Sequence, residues 1–362
     1  MIQPQPLLPP WFVPTWAFVM GSIIGSFLNV CIHRMPRGHS IVKPRSRCYS
    51  CEKTIPWSDN IPILSYVILG GKCRQCGARF SPRYMFVELF TAIMFVAIWQ
   101  HFDPATAMVY TVFACGLIIA TFIDFEHYII PDEITWGGVV AGIICSGFVP
   151  EIQGAESHTR AALWSLAGAG LGYGVLWGVV ELGKLIFGIK KVELPGPTEI
   201  AITPAGIRMA DETETWEEIF SRPTDTLSFT AAAVRLGERT WEQALVRVNW
   251  QELKVNEETF PLDGLAELSA TTSSIYVPRE AMGFGDVKFL AAIGAFLGPK
   301  AIFFVILLSS LTGSSVGLFT MAIGKKSWGM KLPYGPYLAF AALVWIFGGA
   351  ELTAHYFMGF GR

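Results

Sequence analysis

Long apolar runs separated by short polar stretches dominate the residue pattern of this chain. Runs long enough to cross a bilayer recur about eight times, although several are short or rich in glycine. They lie at about 11–32, 85–100, 106–123, 135–149, 161–188, 287–298, 300–323 and 337–358. The pattern predicts an all-α polytopic membrane protein with about eight transmembrane helices.

The composition supports this prediction. Hydrophobic residues make up 52% of the chain and charged residues only 15%, whereas about a quarter of the residues in soluble domains are charged. A soluble enzyme and a nucleic-acid-binding protein are therefore both poor fits. The amino-terminal stretch lacks basic residues ahead of the first apolar run, so we expect that run to be a retained span and not a cleaved signal peptide.

Charge is segregated along the chain. Residues 33–84 hold ten Lys and Arg against two Asp and Glu. Because short basic loops stay in the cytoplasm, we place this block inside and the amino terminus outside. Alternation from there puts 124–134 and 189–286 on the cytoplasmic face as well.

The segment 189–280 differs from its surroundings, with sixteen Asp and Glu against nine Lys and Arg. Its short runs alternate between apolar and polar positions and are divided by Pro, Gly and Asp, which predicts a small β-rich soluble insert with a possible helix near Glu212–Phe220. The predicted organisation is a first helix (1–32), a cytoplasmic module (33–84), membrane helices (85–188), the insert (189–280) and further membrane helices (281–362).

Four of the seven cysteines form two C-x-x-C pairs in the basic block, Cys48 with Cys51 and Cys73 with Cys76. Two such pairs can place four thiolates around one metal ion, so we predict a structural, zinc-ribbon-like site. The twenty-one residues between the pairs slightly exceed the usual spacing. A redox dithiol and metal-free cysteines remain the alternatives.

Two acidic residues lie at the ends of apolar runs, Asp124 in TFIDFEHYIIPDEIT and Asp286 in GFGDVKFL. The predicted topology brings both to the cytoplasmic face, and acids at the edge of the hydrocarbon are candidates for function. Two facing carboxylates would share one proton and could perform general acid–base chemistry. The plainer alternative is a pair of helix caps or ion-pair members.

Glycines 283 and 285 precede the second aspartate. Without a Cβ they would let an extended substrate approach the backbone closely and would tolerate strained angles. Lys288 lies two residues beyond Asp286 and could influence the charge on that aspartate.

The pairing of Ile-Asp-x6-Pro-Asp (Ile123 to Asp132) with Gly-x-Gly-Asp-x-Lys (Gly283 to Lys288) resembles the type IV prepilin peptidases, a family of GxGD-type aspartic peptidases. The resemblance implies catalytic roles for Asp124 and Asp286. It also implies that the substrates are prepilins or pseudopilins, cut after a glycine that ends their basic leader. The expected location is the bacterial inner membrane, with the active site facing the cytoplasm.

The amino-terminal third is similar to the same family. The similarity is carried by Asn29, Arg34, Pro36, Arg37, Asn60–Tyr66, Ser81–Tyr84 and Glu88. Family members with this module also methylate the new amino terminus of the pilin with S-adenosylmethionine. No glycine-rich loop for a methyl donor is visible, so the sequence does not place that site, and it does not indicate an oligomeric state.

Three other functions fit parts of the sequence. A broader GxGD intramembrane protease fits the aspartates but not the cysteine module. A proton-coupled transporter could use two membrane acids, but no inverted repeat is visible. An inactive assembly scaffold is disfavoured by the intact acid pair.

Overall fold

A computed structural model of the protein describes residues 9–209, 212–220, 225–278, 282–324, 332–349, 351–353 and 355. The chain divides into two compact units. The first comprises Met1–Trp177 and Phe284–Arg362, and the second comprises Gly178–Gly283.

The first unit is helical, and each apolar run predicted from the sequence overlaps a helix, although part of the last run, 337–358, lies outside the described residues. Its helices are α1 (Phe12–Arg34), α2 (Leu64–Ile68), α3 (Arg83–His101), α4 (Pro104–His127), α5 (Asp132–Phe148), α6 (His158–Phe187, which continues past the unit boundary), α8 (Phe284–Leu297), α9 (Pro299–Ala322) and α10 (Gly335–Val344). A π-helical turn, Trp345–Gly349, follows α10.

Five helices within the described residues are long and apolar enough to cross a bilayer: α1, α3, α4, α6 and α9. Helices α5 and α8 occupy two of the other predicted runs and have 17 and 14 residues, and α10 with its π turn is described as one short apolar helix, Gly335–Gly349. At 1.5 Å per residue, α8 extends about 21 Å, less than the roughly 30 Å of the hydrocarbon layer. The structure thus supports a multi-pass membrane protein with five candidate spans, and a count of eight stays a prediction.

Helices α1 and α3 pack closely because α1 presents glycine where they meet. A Cβ on Gly21 would lie 2.7 Å from Cα of Ala92, and one on Gly25 would lie 2.8 Å from Cα of Glu88. Glycines four residues apart on one helix face allow two membrane helices to approach at backbone distance. This contact holds Glu88 against α1.

Helix α8 is buried on nearly every side. Apart from Lys288, all residues from Asp286 to its end are buried. Small residues on its neighbours make room for it: a Cβ on Gly142 of α5 would lie 2.7 Å from that of Ala295, and one on Gly172 of α6 would lie 2.6 Å from the carbonyl oxygen of Leu290. A helix that is apolar on every side beyond its first turn and a half belongs inside a bundle.

The carboxyl end of α8 is capped by side chains. The amide of Gln153 donates to the carbonyl oxygens of Ala295 and Phe296 at 3.0 and 3.1 Å. The hydroxyl of Ser165 donates to Ala295 as well, at 2.6 Å. These bonds satisfy carbonyls that a helix leaves unpaired at its end, which is a requirement away from water. Gly298, at φ +77°, then turns the chain into α9.

The second unit is built on one antiparallel sheet. Its strands are β1 (Ile189–Thr203), β2 (Gly206–Met209), β3 (Glu212–Thr215), β4 (Leu227–Leu236), β5 (Arg239–Val248), β6 (Glu252–Val255), β7 (Glu258–Pro261) and β8 (Leu268–Pro278), in the spatial order β3-β2-β1-β8-β4-β5-β6-β7. The buried members of β4 and β5 alternate with more exposed ones, as Phe229, Ala231 and Val246 illustrate.

The helix predicted near Glu212–Phe220 is shorter in the structure. Glu212–Thr215 pairs with β2 as a strand, and only Trp216–Ile219, named α7, is helical. The ring of Trp216 is buried and stacks on Phe220 with centroids 5.2 Å apart. Because these aromatic side chains pack into the core of the sheet unit, the helix is limited to a single turn.

Candidate functional site

Helix α4 carries Asp124 in its last turn. The helix ends at Tyr128, which adopts a left-handed conformation (φ 55°) and donates its backbone N–H to the carbonyl oxygen of Asp124. The side chain of Asp124 is buried, with the residue only 5% exposed. The chain therefore places a carboxylate at the end of a membrane helix and encloses it.

The start of α10 closes over this carboxylate. The backbone N–H of Gly335 donates to Oδ2 of Asp124 at 2.9 Å. A Cβ at position 335 would lie 2.8 Å from that oxygen, so glycine is required for the approach. The preceding residue, Tyr334, is anchored on α9 through its hydroxyl, 2.7 Å from Oγ of Ser309 and 3.1 Å from Oγ of Ser310.

Asp286 lies in the first turn of α8 and is also buried, at 8% exposure. Ile130 lies beside both residues: a Cβ on Gly335 would be 3.0 Å from its Cδ1, and one on Gly285 would be 3.4 Å from its backbone nitrogen. The structure thus brings the two aspartates into one site.

The other residues predicted around Asp286 have different environments. Lys288 forms a 2.6 Å ion pair with Asp132 at the start of α5, and its ammonium lies 5.4 Å from the ring centroid of Phe284. Gly283 is exposed. Neither Gly283 nor Gly285 is among the described residues with positive φ, so the expected strained angles are absent. A close approach of substrate to these glycines stays a prediction.

Two buried carboxylates in one site can perform general acid–base catalysis. Like charges a few ångströms apart do not ionise together, so such a pair holds one proton between them. The ionised member can accept a proton from water while the protonated member donates one. Hydrolysis of an acyl compound needs both functions.

A second cluster forms in the basic block. The four sulfur atoms of Cys48, Cys51, Cys73 and Cys76 all lie within 4.8 Å of one another, and those of Cys48 and Cys76 are 3.7 Å apart. A tetrahedral metal–thiolate site with bonds of about 2.3 Å requires sulfur atoms about 3.8 Å apart. The four cysteines therefore fit a metal ion such as zinc.

The two halves of this cluster repeat the same loop. In the first, Cys48 N–H donates to the carbonyl oxygen of Lys53 and the N–H of Glu52 donates to that of Cys48. In the second, Cys73 N–H donates to the carbonyl oxygen of Ala78 and the N–H of Gly77 donates to that of Cys73. Although desolvation opposes it, the backbone N–H groups of Cys51 and Ser50 lower the pKa of Cys48 to about 7, which favours the thiolate that binds metal.

Two residues of the aspartate site were missed by the sequence reasoning. Nothing in the residue pattern ties Gly335 or Ile130 to an aspartate. A signal does exist for Gly335, since Gly335-Pro336 marks the start of a helix and such a start presents free N–H groups to an anion. The pattern alone does not say which anion.

Comparison with known proteins agrees with the geometry. The profile of the bacterial peptidase A24 N-terminal domain matches residues 19–102. The profile of the type IV leader peptidase family matches residues 111–191 and 258–318. The chain belongs to the type IV leader peptidase family. The two matched segments of that family contain Asp124 and Asp286, and residues 192–257 of the sheet unit lie between them.

Two relatives align along nearly the whole chain, and a third aligns with part of it. A prepilin leader peptidase/N-methyltransferase of Aeromonas hydrophila is 26% identical over 97% of this chain and 96% of its own. The protein of the same name from Pseudomonas aeruginosa is 27% identical over 94% and 93%. That from Myxococcus xanthus is 43% identical over 38% of this chain and 42% of its own. No solved structure matches the chain.

Proposed function

We propose that this protein removes the leader peptide from prepilins or pseudopilins, with Asp124 and Asp286 as the catalytic pair. One observation carries the proposal: two buried carboxylates from distant parts of the chain lie beside the same residue, Ile130. The substrate class is supported by the relatives, which are named prepilin leader peptidase/N-methyltransferase.

The two aspartates take different roles. Asp124 accepts the N–H of Gly335, and a hydrogen bond to the charged form favours an ionised carboxylate. Asp286 receives no hydrogen bond from the described residues and is exposed to the charge of Asp124. Asp124 is therefore the general base and Asp286 the general acid.

Peptide hydrolysis follows from this assignment. Asp124 takes a proton from a water molecule, whose oxygen attacks the scissile carbonyl carbon, while Asp286 protonates the carbonyl oxygen. Collapse of the tetrahedral intermediate breaks the C–N bond and a proton passes to the leaving nitrogen. The products are the leader with a new carboxylate and the mature protein with a new amino terminus.

The proposed orientation uses the charge of the chain. The basic block 33–84 remains in the cytoplasm of the bacterial inner membrane, and the aspartate site lies at that face. A prepilin presents a basic leader in the cytoplasm and an apolar helix in lipid, so its scissile bond, after a leader-terminal glycine, rests at the boundary. The aspartate pair and the scissile bond would therefore lie at the same depth in the membrane.

Zinc is the metal proposed for the cysteine cluster. Four thiolates leave no open coordination position, so the ion would be structural and would join the two loops of the module. Residues Cys48, Cys51, Cys73 and Cys76 would hold it. The module then has a fixed shape without a large core of its own.

The protein is also proposed to methylate the new amino terminus. S-adenosylmethionine supplies the methyl group: the free amine bonds to the methyl carbon, the sulfur keeps the electron pair of the broken bond, and the amine releases a proton. The names of the relatives include N-methyltransferase. The proposal needs a second site, since the aspartate pair has no role in this transfer.

The test is cleavage of a model prepilin by the full-length protein in detergent. Asp124→Asn and Asp286→Asn should each reduce cleavage by at least about 10³-fold, because either change removes one half of the acid–base pair. The matched control is Glu133→Gln, which neutralises an exposed acid on α5 and should leave cleavage unchanged.

Mass spectrometry of the product amino terminus gives the second readout. Loss of the leader plus a methyl group is expected for the wild type with S-adenosylmethionine. Undiminished cleavage by either asparagine variant, with normal membrane insertion, would show that the aspartates are not the catalytic pair.

A further inference from the structure

The module that carries the cysteine cluster, residues 33–84, exposes a group of large apolar side chains on its surface. Each is between 40 and 77% exposed, and the group, here called the apolar patch, consists of Trp57, Ile61, Leu64, Val67 and Ile68. Contiguous apolar side chains on the surface of a domain mark a place where another apolar surface binds.

The apolar patch is built on helix α2. Leu64, Val67 and Ile68 are three and four positions apart in this helix, so they share one face. Ser65 is buried, and its hydroxyl donates to the carbonyl oxygen of Ser58 at 3.1 Å. The short helix is therefore amphipathic: a polar residue joins it to the module, and its apolar face has no cover among the described residues.

A hydrogen bond fixes the level of α2 relative to the membrane helices. The backbone N–H of Ile63, directly before α2, donates to Oε2 of Glu88 at 2.7 Å. Glu88 is buried in the second turn of α3, and side chains on a helix lean toward its amino terminus. Ile63 therefore lies beside the first two turns of α3.

These turns of α3 lie at the edge of the hydrocarbon. The helix has 19 residues, which extend about 28 Å, so its whole length is needed to cross the roughly 30 Å of the hydrocarbon layer. Its first residue, Arg83, then lies at the boundary with the headgroups. Because α2 is held beside these turns, its exposed apolar face meets lipid and not bulk water.

The module is also held at this level by its ends. Helix α1 leads into it at Arg34 and α3 leads out of it at Arg83. The side-chain amide of Asn29, in α1, donates to the carbonyl oxygen of Tyr84, in α3, at 2.9 Å. With two membrane helices tied together at its base, the module cannot move away from the bilayer surface.

The charge of the module fits an anionic lipid surface. Residues 33–84 hold ten Lys and Arg against two Asp and Glu, and one of these acids, Asp59, is paired with Arg74. Lys72 and Arg79 are exposed and face each other in a β-bridge. An apolar helix face beside basic residues is the combination that binds the headgroup region of a membrane, and the basic residues favour anionic lipids.

We propose that the apolar patch inserts into the boundary between headgroups and acyl chains of the adjacent leaflet, and that the basic residues of the module select anionic phospholipid there. The contact holds the cysteine module against the membrane surface. It depends on neither leader cleavage nor methylation, since it uses only the module and the membrane helices that carry it.

The test is photocrosslinking of the full-length protein in nanodiscs of phosphatidylcholine with a minor fraction of phosphatidylglycerol. The photoreactive residue p-benzoylphenylalanine replaces Ile68, and phospholipid adducts are measured by mass spectrometry. Leu311, exposed in the middle of α9, is the positive control, and Gln75, an exposed polar residue of the second cysteine loop, is the matched polar position. The yield at Ile68 should approach that at Leu311 and exceed that at Gln75 about tenfold.

The same replacement at Val67 gives an independent measurement on the patch, and thermal unfolding with metal content shows that each variant is folded. Adducts with a second copy of the chain in place of lipid, or a lipid yield no higher than at Gln75, would overturn the docking surface.

The class of lipid in the adducts tests the role of charge. Phosphatidylglycerol should be enriched over its fraction in the disc at Ile68, where basic residues are near, but not at Leu311, which lies among acyl chains. Equal fractions at the two positions would overturn the selection of anionic lipid.

Discussion

The backbone N–H of Gly335 donates a hydrogen bond to Oδ2 of Asp124 across 211 positions of sequence, with N and O 2.9 Å apart. The bond joins the end of α4 to the start of α10. It gives one aspartate of the pair a donor that the other lacks among the described residues. The proposed division of the pair into a base and an acid rests on this asymmetry.

Gly335→Ala should therefore impair catalysis. The new Cβ would lie 2.8 Å from Oδ2 of Asp124 and 3.0 Å from Cδ1 of Ile130, so the carboxylate must move. A displacement of about 1 Å at a reacting group can lower the rate by about 100-fold. We expect kcat for prepilin cleavage to fall while KM changes little, as measured by cleavage kinetics in detergent.

Gly116→Ala is the matched control for this variant. Gly116 lies in the middle of α4, and a Cβ added there would meet no atom of a neighbouring element within 4 Å, so alanine should preserve activity and add helix propensity. Tyr334→Phe offers a milder change, since it removes the hydroxyl that anchors the loop to Ser309 and Ser310. A normal kcat in Gly335→Ala would contradict the role of the Gly335 N–H.

Gly285→Ala tests whether substrate approaches the backbone beside Asp286. A Cβ there would make ordinary contacts of 3.4 Å or more with Ile130, so the free enzyme should fold with unchanged thermal stability. An extended substrate lying against this backbone would meet the new methyl group. We expect KM for the prepilin to rise about tenfold or more. Unchanged cleavage kinetics would mean that substrate does not use this glycine.

The cysteine cluster predicts a metal content. The purified protein should contain about one zinc ion per chain, measured by elemental mass spectrometry, because four sulfur atoms lie within 4.8 Å of one another. Replacing Cys48 and Cys51 by Ser should abolish the metal and lower the stability of the module. Cys145→Ser, a lone cysteine of α5, is the control and should keep it. A metal-free wild type would contradict the zinc site.

The residue pattern predicted what depends on local sequence. Apolar runs located the helices, alternation located the strands, and the spacing of Cys48 to Cys76 predicted a cluster that the structure contains. The pattern could not predict which side chains would pair across distant parts of the chain. Lys288 was expected to influence Asp286, but its ion-pair partner is Asp132, 156 positions away, because the packing of α8 on α5 decides which side chains meet.

Apolar runs alone do not explain what ends a membrane helix. The run at 287–298 predicted α8, and the structure shows that α8 ends at Leu297 because Gln153 and Ser165 satisfy its last carbonyls and Gly298 turns the chain. Those partners come from two other helical segments. Hydropathy reports how apolar a helix is, and tertiary contacts decide where it stops.

The packing of α8 between its neighbours gives a sharp test of the membrane unit. Two glycines of α6 differ in what a side chain would meet: a Cβ on Gly172 would lie 2.6 Å from the carbonyl oxygen of Leu290, whereas one on Gly170 would meet nothing within 4 Å. Gly172→Ala should destabilise the protein by about 1–3 kcal/mol, since a backbone carbonyl cannot rotate away and α8 must shift. Because α8 carries Asp286, cleavage should fall as well.

Gly170→Ala is the matched change on the same helix. It should raise stability by up to about 1 kcal/mol through helix propensity alone and leave cleavage intact. Thermal unfolding of the two variants in one detergent, with cleavage rates beside it, compares them directly. Equal stabilities would show that α6 and α8 do not approach at backbone distance, and the position of Asp286 opposite Asp124 would then lose its structural support.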